Sequence, residues 1–180
     1  KGHHGVVGAT GNGPGGGGLR CGGGYGGKGG GNNGGGIYGS AAAPEERGSA
    51  GGGNGTVPGK SGGGAVRLDV SGGMITVNGS ITANGEDSAA NYAGGGSGGG
   101  IYITCRTIAG TNGAITALGG DGETSPDAGG GGGRIALVYD PAEQSNMAPH
   151  TISIRTYPRK QAGDDTAGCL GTLWLSDAQF

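Results

Sequence analysis

Close pairs of carboxylates are the first side chains in this sequence that could support acid–base chemistry. They occur in four places: Glu45-Glu46, Glu86-Asp87, Asp121 with Glu123, and Asp164-Asp165. A glycoside hydrolase needs two carboxyl groups about 5 to 9.5 Å apart, on either side of the scissile bond. All four pairs lie in polar, glycine-rich stretches where side chains are usually solvated, and Arg67 with Asp69 is expected to form only a surface ion pair. We therefore predict that the protein is not an enzyme.

Three other short patterns could bind a ligand, but each lacks part of its motif. Gly119-Gly120-Asp121-Gly122 resembles a calcium-binding repeat that needs tandem copies, and one copy is present. Gly59-Lys60-Ser61 lacks the glycine-led spacing of a phosphate-binding loop, and no helix follows it. His3-His4 is an adjacent pair at the start of the sequence. The sequence predicts neither a metal site nor a cofactor.

Two sequons and three cysteines are candidates for covalent modification. Asn54 and Asn78 each begin an Asn-Gly-Thr/Ser triplet and are candidate glycosylation sites, although such triplets also arise by chance in sequence of this composition. Cys21, Cys105 and Cys169 are disulfide candidates, since one disulfide and one remaining thiol are possible in an oxidising compartment. Their spacing matches no zinc or redox motif, and their pairing stays open.

Composition excludes several classes of protein. Glycine supplies 53 of the 180 residues, and each glycine inside a helix costs about 1 kcal/mol relative to alanine, so a helical protein is excluded. Collagen is excluded because glycine keeps no strict every-third register and only 7 prolines are present. The 11 Lys and Arg, against 13 Asp and Glu, form no basic cluster, which disfavours nucleic-acid binding. The longest apolar run, Ile135 to Tyr139, is far shorter than the roughly 20 residues of a membrane span.

An internal repeat gives the main structural signal. Ile81-Thr82-Ala83 returns 34 residues later as Ile115-Thr116-Ala117, and Asn78 returns at the same offset as Asn112. Glycine triplets introduce strand-like segments in which apolar residues alternate with polar ones, as Ile101, Ile103 and Cys105 do. A period of this length without helices is typical of parallel strands stacked one cycle upon the next, so we expect Ile81 over Ile115 and Thr82 over Thr116. An antiparallel sandwich built on the Asn-Gly turns is the alternative.

The N-terminal third differs from the rest of the chain. Residues 1–64 form a glycine-rich segment with repeated glycine triplets, and residues 65–180 carry the repeat. Glycine runs can adopt an extended helix with three residues per turn and no internal hydrogen bonds. We predict that residues 1–64 pack as extended polyglycine strands along the repeat; a flexible or disordered glycine linker is the alternative.

The order of these blocks resembles a known kind of protein region. Gly36-Ile37-Tyr38-Gly39-Ser40, Gly63–Gly72, Ile81–Gly85, Gly98–Thr104 and Gly132–Tyr139 together are similar to the glycine-rich parallel β-helix region of large bacterial and protist surface or secreted proteins. The resemblance implies an all-β fold, a right-handed parallel β-helix or solenoid of about three to four coils. It also implies an extracellular or cell-surface setting with a structural or adhesive role, and no catalytic residues.

The ends of the repeat suggest how such a protein works. The apolar strand Leu173-Trp174-Leu175, with Phe180 shortly after it, forms an uncapped edge that invites head-to-tail stacking. We therefore predict a structural subunit of an extracellular fibre, whose partners are copies of itself or neighbouring coils of a larger surface protein. Lys1-Gly2-His3-His4 shows no leader, so a removed leader or an internal portion of a longer chain is expected. The alternative is an adhesin-like module that binds glycans, or ice through stacked threonines.

We predict that the inward side chains of the repeat carry the fold. They are Val66, Leu68, Ile101, Ile103, Ile135 and Leu137.

Overall fold

The computed structural model describes residues 1–88, 93–122, 129–158 and 167–177. The described strands, in chain order, are β1 (Ala65–Thr76), β2 (Ser80–Thr82), β3 (Gly100–Ala109), β4 (Ala114–Thr116), β5 (Arg134–Val138), β6 (Ser153–Arg155) and β7 (Thr172–Leu175). One short helix, α1 (Pro141–Gln144), follows β5 and is capped by the Asp140 carboxylate. Within these ranges no helix is long and apolar enough to cross a lipid bilayer.

The strands form two parallel sheets. The first has the order β1-β3-β5-β7 and the second the order β2-β4-β6. The chain alternates between the sheets, so each strand of the first sheet and the strand that follows it in the second make one layer. Ile81 pairs with Ile115, and Thr82 with Thr116, so the predicted stacking of these residues is confirmed. All five strand pairs are parallel, which excludes the antiparallel sandwich.

The core lies between the inward faces of the two sheets. Along β3, Ile101, Ile103 and Cys105 are buried, while Tyr102 and Thr104 between them are half-buried, as the alternation predicts. Ile115 from the second sheet joins the same apolar cluster. Burying one such aliphatic side chain contributes roughly 1.5–3 kcal/mol, so the middle layers supply the main apolar stabilisation.

Hydrogen bonds between glycine segments hold the rest of the molecule together. Gly22, Gly23 and Gly24 donate their amides to Gly30, Gly95 and Gly15, which lie on three different segments. The triplets 51–53 and 130–132 behave in the same way, each residue bonding to a different neighbour. Successive amides in these triplets thus point to three different neighbouring segments. This matches the three residues per turn of polyproline II-type backbone, a conformation without internal hydrogen bonds.

Only glycine fits where these segments meet. A Cβ built on Gly23 would lie 2.7 Å from the carbonyl oxygen of Ala50 and closer still to that of Ser49. A Cβ on Gly94 would overlap the carbonyl of Cys21. Because glycine alone permits this approach of one backbone to another, the glycine runs form an ordered, hydrogen-bonded part of the fold.

The predicted right-handed parallel β-helix of three to four coils is wrong. The described residues form two small parallel sheets of four and three strands, with 26% strand and almost no helix, and they form no closed β-helix. The physical reason lies in the glycine stretches between the sheets. Gly96 bonds to Glu86 and Gly131 bonds to Gly23, so these backbone groups are used for contacts in several directions and do not build a further sheet that would close a coil.

Residues 1–64 end directly before β1 and are in contact with the rest of the chain. Gly27 donates to Gly132, Gly63 donates to Ser97, and Gly131 donates to Gly23. Residues 1–64 are therefore hydrogen-bonded to the stretches that connect the strands.

Candidate assembly interface

Burial changes along the stack of layers. Ile101, Ile103 and Ile135 in the middle strands are fully buried. Their neighbours in register at the two ends, Val66 on β1 and Leu173 on β7, are only partly covered, and Leu173 is 46% exposed. The apolar core is thus covered in the middle and open at both ends.

The end formed by β6 and β7 carries an open groove of about 680 Å³, which α1 and residues 145–150 also line. Its aliphatic lining includes Ile152, Ile154, Leu173 and Leu175, and polar side chains such as Gln144 also line it. These positions follow from the alternation of β7, where Leu173 and Leu175 point inward as Ile135 and Leu137 do one strand earlier. Sequence analysis placed the assembly edge on Leu173, Trp174, Leu175 and Phe180; the first three lie on β7, and Phe180 lies outside the described residues.

The opposite end is formed by β1 and β2. Val66, Leu68 and Ile81 pack against the core from this side and remain partly exposed. Here a smaller groove of about 320 Å³ is lined by Val66 and by Lys1 and Glu86, which form an ion pair with 3.3 Å between Nζ and Oε1. Burial alone would raise the pKa of Glu86, but hydrogen bonds from Lys1 and Ser61 hold that pKa below its ordinary value.

A row of side chains crosses the outward face of the first sheet. Arg67, Tyr102, Ala136 and Trp174 are register partners on successive strands. The Arg67 guanidinium lies 5.4 Å from the centre of the Tyr102 ring, a cation–π distance. Trp174 ends the row on the exposed edge and is 36% exposed.

A cluster of aromatic and charged side chains joins the glycine-rich segment to the first sheet. The fully buried Tyr25 donates its hydroxyl to Glu46 (3.1 Å), and its ring centre lies 4.8 Å from that of Tyr38. The guanidinium of Arg134 lies 5.4 Å from the Tyr25 ring and donates to the carbonyl of Tyr38 (3.0 Å) and to Thr172 Oγ1 (2.9 Å). Burial, together with the charge of Glu46, raises the pKa of Tyr25 well above its ordinary range, so the phenol stays protonated. The cluster therefore has a structural role, because it connects Tyr25 and Tyr38 of the glycine-rich segment to β5 and β7.

The carboxylates considered for catalysis are used in separate structural contacts. Glu45 pairs with Arg67, Glu46 accepts from Tyr25, and Asp87 accepts the amide of Asp121 (2.9 Å). Glu123 and Asp164-Asp165 lie outside the described residues. Across the described ranges no three His, Cys, Asp or Glu side chains come together as a metal site.

The two sequons occupy different environments. Asn54 is 8% exposed, and its Oδ1 accepts hydrogen bonds from the amides of Thr56 (2.8 Å) and Val57 (2.7 Å) in a tight turn. Asn78 is exposed, and its Oδ1 accepts the amide of Thr111 (2.9 Å) from the next layer. Only Asn78 has the surface position that a glycan needs.

The three cysteines form no disulfide. Cys21 and Cys105 are buried, and Cys169 is exposed, all as free thiols. Burial raises the pKa of the Cys105 thiol, which disfavours its reactive thiolate form.

Sequence reasoning missed two features of this region. Tyr25 and Arg134 are more than a hundred residues apart, and no local pattern links them. The groove between β6 and β7 was also missed, although the departure of Ile152 and Ile154 from the Ile-Thr-Ala signature marked this layer as different.

Comparison with other proteins adds no assignment to this geometry. No protein family, no curated protein and no solved structure matches the chain.

Proposed function

We propose that this chain is a non-catalytic extracellular building block that assembles end to end into a fibre or stalk. The observation that carries the proposal is the incomplete burial of inward side chains at both ends of the stack. Leu173 and Leu175 at one end, and Val66 and Leu68 at the other, belong to the same inward rows as fully covered residues in the middle.

The two ends favour contact between copies because they carry different edge strands that run in the same direction. The edge strands β7 and β1 belong to one parallel sheet, so β7 of one copy can pair with β1 of the next without reversing direction. A contact between two different surfaces of the same molecule does not close on itself in general and produces a filament. Covering the exposed part of Leu173 alone would contribute about 1 kcal/mol, given its 46% exposure and the usual range for a buried leucine.

The extracellular setting is supported by the exposed sequon at Asn78. The ice-binding alternative receives no support from the threonines. Thr82 and Thr116 are paired, but the third position of that row is Arg155, whose charged side chain interrupts a flat threonine face.

Sedimentation velocity and negative-stain electron microscopy of the purified chain over a range of concentrations test the proposal. We expect concentration-dependent oligomers and fibres. In Leu173→Lys, a charge enters the inward aliphatic row and assembly should be lost. The matched control is Ile37→Lys, which replaces an aliphatic residue that is 65% exposed outside both sheets, and it should assemble normally. A chain that stays monomeric at all concentrations contradicts the proposal.

A further inference from the structure

We infer that β7 of one copy pairs with β1 of the next in a single register, which places Leu173 beside Val66 and Trp174 beside Arg67 of the next copy. This inference rests on the proposed end-to-end assembly and specifies its partner surface. It follows from two features of the first sheet: the alternation of its side chains and the outward row of Arg67 and Trp174.

The alternation of side chains excludes half of the possible registers, where a slip is counted from the register that places Leu173 beside Val66 of the next copy. A slip of one residue would turn Leu173 and Leu175 away from the core and bring Trp174 inward, because successive side chains of a strand point to opposite faces. Only slips of zero or two residues keep the inward row Val66, Ile101, Ile135 and Leu173 continuous across the junction.

The outward row distinguishes the remaining registers. With no slip, Trp174 meets Arg67 of the next copy, which repeats the cation–π pair that Arg67 already makes with Tyr102 at 5.4 Å. A slip of two residues one way places the Trp174 ring beside Asp69, whose negative charge faces an electron-rich ring. A slip the other way places Trp174 beside Ala65 and leaves Arg67 without an aromatic partner across the junction.

The second sheet does not pair across this junction. Among the described strands it has three members against four in the first sheet, so no strand of the second sheet shares the layer of β7. When β7 pairs with β1 of the next copy, β6 and the next copy's β2 lie two layers apart, about 10 Å, and make no backbone hydrogen bonds to each other. The first sheet alone therefore sets the register.

Disulfide trapping tests the register directly. In a Cys169→Ser background, which removes the exposed native thiol, the double variant Val66→Cys/Leu173→Cys places two thiols on neighbouring strands about 4.8 Å apart at Cα. This distance lies within the range for a disulfide, about 4.4 to 6.8 Å. We expect a ladder of covalent oligomers on non-reducing gels after mild oxidation.

The matched control is Leu68→Cys/Leu173→Cys in the same background. It truncates the same kind of inward aliphatic side chain. In the inferred register, however, the Cα atoms of residue 173 and of residue 68 in the next copy lie about 8 Å apart, since a strand rises about 3.3 Å per residue. That separation is too long for a disulfide. Crosslinking of the control, or of both variants equally, overturns the inferred register while assembly itself stands; monomers by sedimentation, without crosslinks, overturn the end-to-end assembly.

The Arg67–Trp174 contact has its own measurement. Arg67→Gln should weaken association about two- to five-fold, the effect expected for one exposed cation–π contact. Arg106→Gln is the matched control, because both arginines are about half exposed and paired with a glutamate, but Arg106 pairs with Glu143 on α1. Equal weakening by the two substitutions overturns the assignment of Arg67 to the junction.

Discussion

Replacing one glycine at the meeting point of several segments is the sharpest test of the backbone packing. Gly23 donates to the carbonyl of Gly95 (3.0 Å) and accepts the amide of Gly131 (2.9 Å). In Gly23→Ala, the added methyl group would overlap the carbonyls of Ser49 and Ala50, which are backbone atoms and cannot rotate away.

The expected magnitude follows from these contacts. The two hydrogen bonds contribute about 1 kcal/mol each, and overpacking at a site that cannot relax costs about 1–3 kcal/mol. Gly23→Ala should therefore lower the free energy of unfolding by about 3–5 kcal/mol, a large part of the roughly 5–15 kcal/mol of a folded protein. For a chain of this size, the midpoint of thermal unfolding should fall by at least about 6 °C.

Urea denaturation followed by tyrosine and tryptophan fluorescence measures this change. Gly36→Ala is the matched control, because a Cβ at Gly36 meets no atom within 4 Å although Gly36 also lies in a glycine triplet. We expect the control to stay within about 0.5 kcal/mol of the natural chain, or to gain slightly from a less flexible unfolded state. Equal stability of the two variants would refute the claim that the glycine segments form a fixed, close-packed network.

Two further predictions concern covalent modification. In a secretory eukaryotic host, Asn78→Gln should abolish the gel mobility shift that glycosidase treatment reverses, and Asn54→Gln should leave that shift in place. The reason is that Asn78 is exposed, whereas Asn54 is buried in a turn. A glycan mapped to Asn54 by mass spectrometry of folded protein contradicts this prediction. Under native conditions a maleimide should label Cys169 quickly, and it should label Cys21 and Cys105 only after unfolding. Burial shields the latter two thiols and raises the pKa of the Cys105 thiol. Rapid labelling of two or three thiols in the folded protein contradicts the described burial.

The strand pairing was predictable because it depends on side chains. Ile81 and Ile115 carry the same local pattern, and parallel stacking places equal patterns side by side. The alternation of Ile101, Ile103 and Cys105 predicted which face of β3 is buried. The apolar edge Leu173–Leu175 was visible for the same reason.

The arrangement of the glycine stretches was not predictable from the sequence. Gly23 bonds to Gly95 and Gly131, but nothing distinguishes these glycines from dozens of others, since they have no side chains to specify a register. This is why the expected closed β-helix was wrong, even though the sheets pair as expected. Val66 and Leu68 were predicted as interior, but their position in the first layer leaves them only partly covered.

The three-way bonding of glycine triplets such as 22–24 has a consequence for spectroscopy. Left-handed extended backbone is also a major conformer of denatured chains, so circular dichroism of this protein will resemble that of a random coil across much of its length. Amide hydrogen exchange will report the opposite, because protons shared between neighbouring backbones are shielded from water. A rigid molecule of this kind would be discarded as disordered by any screen that relies on optical ellipticity alone.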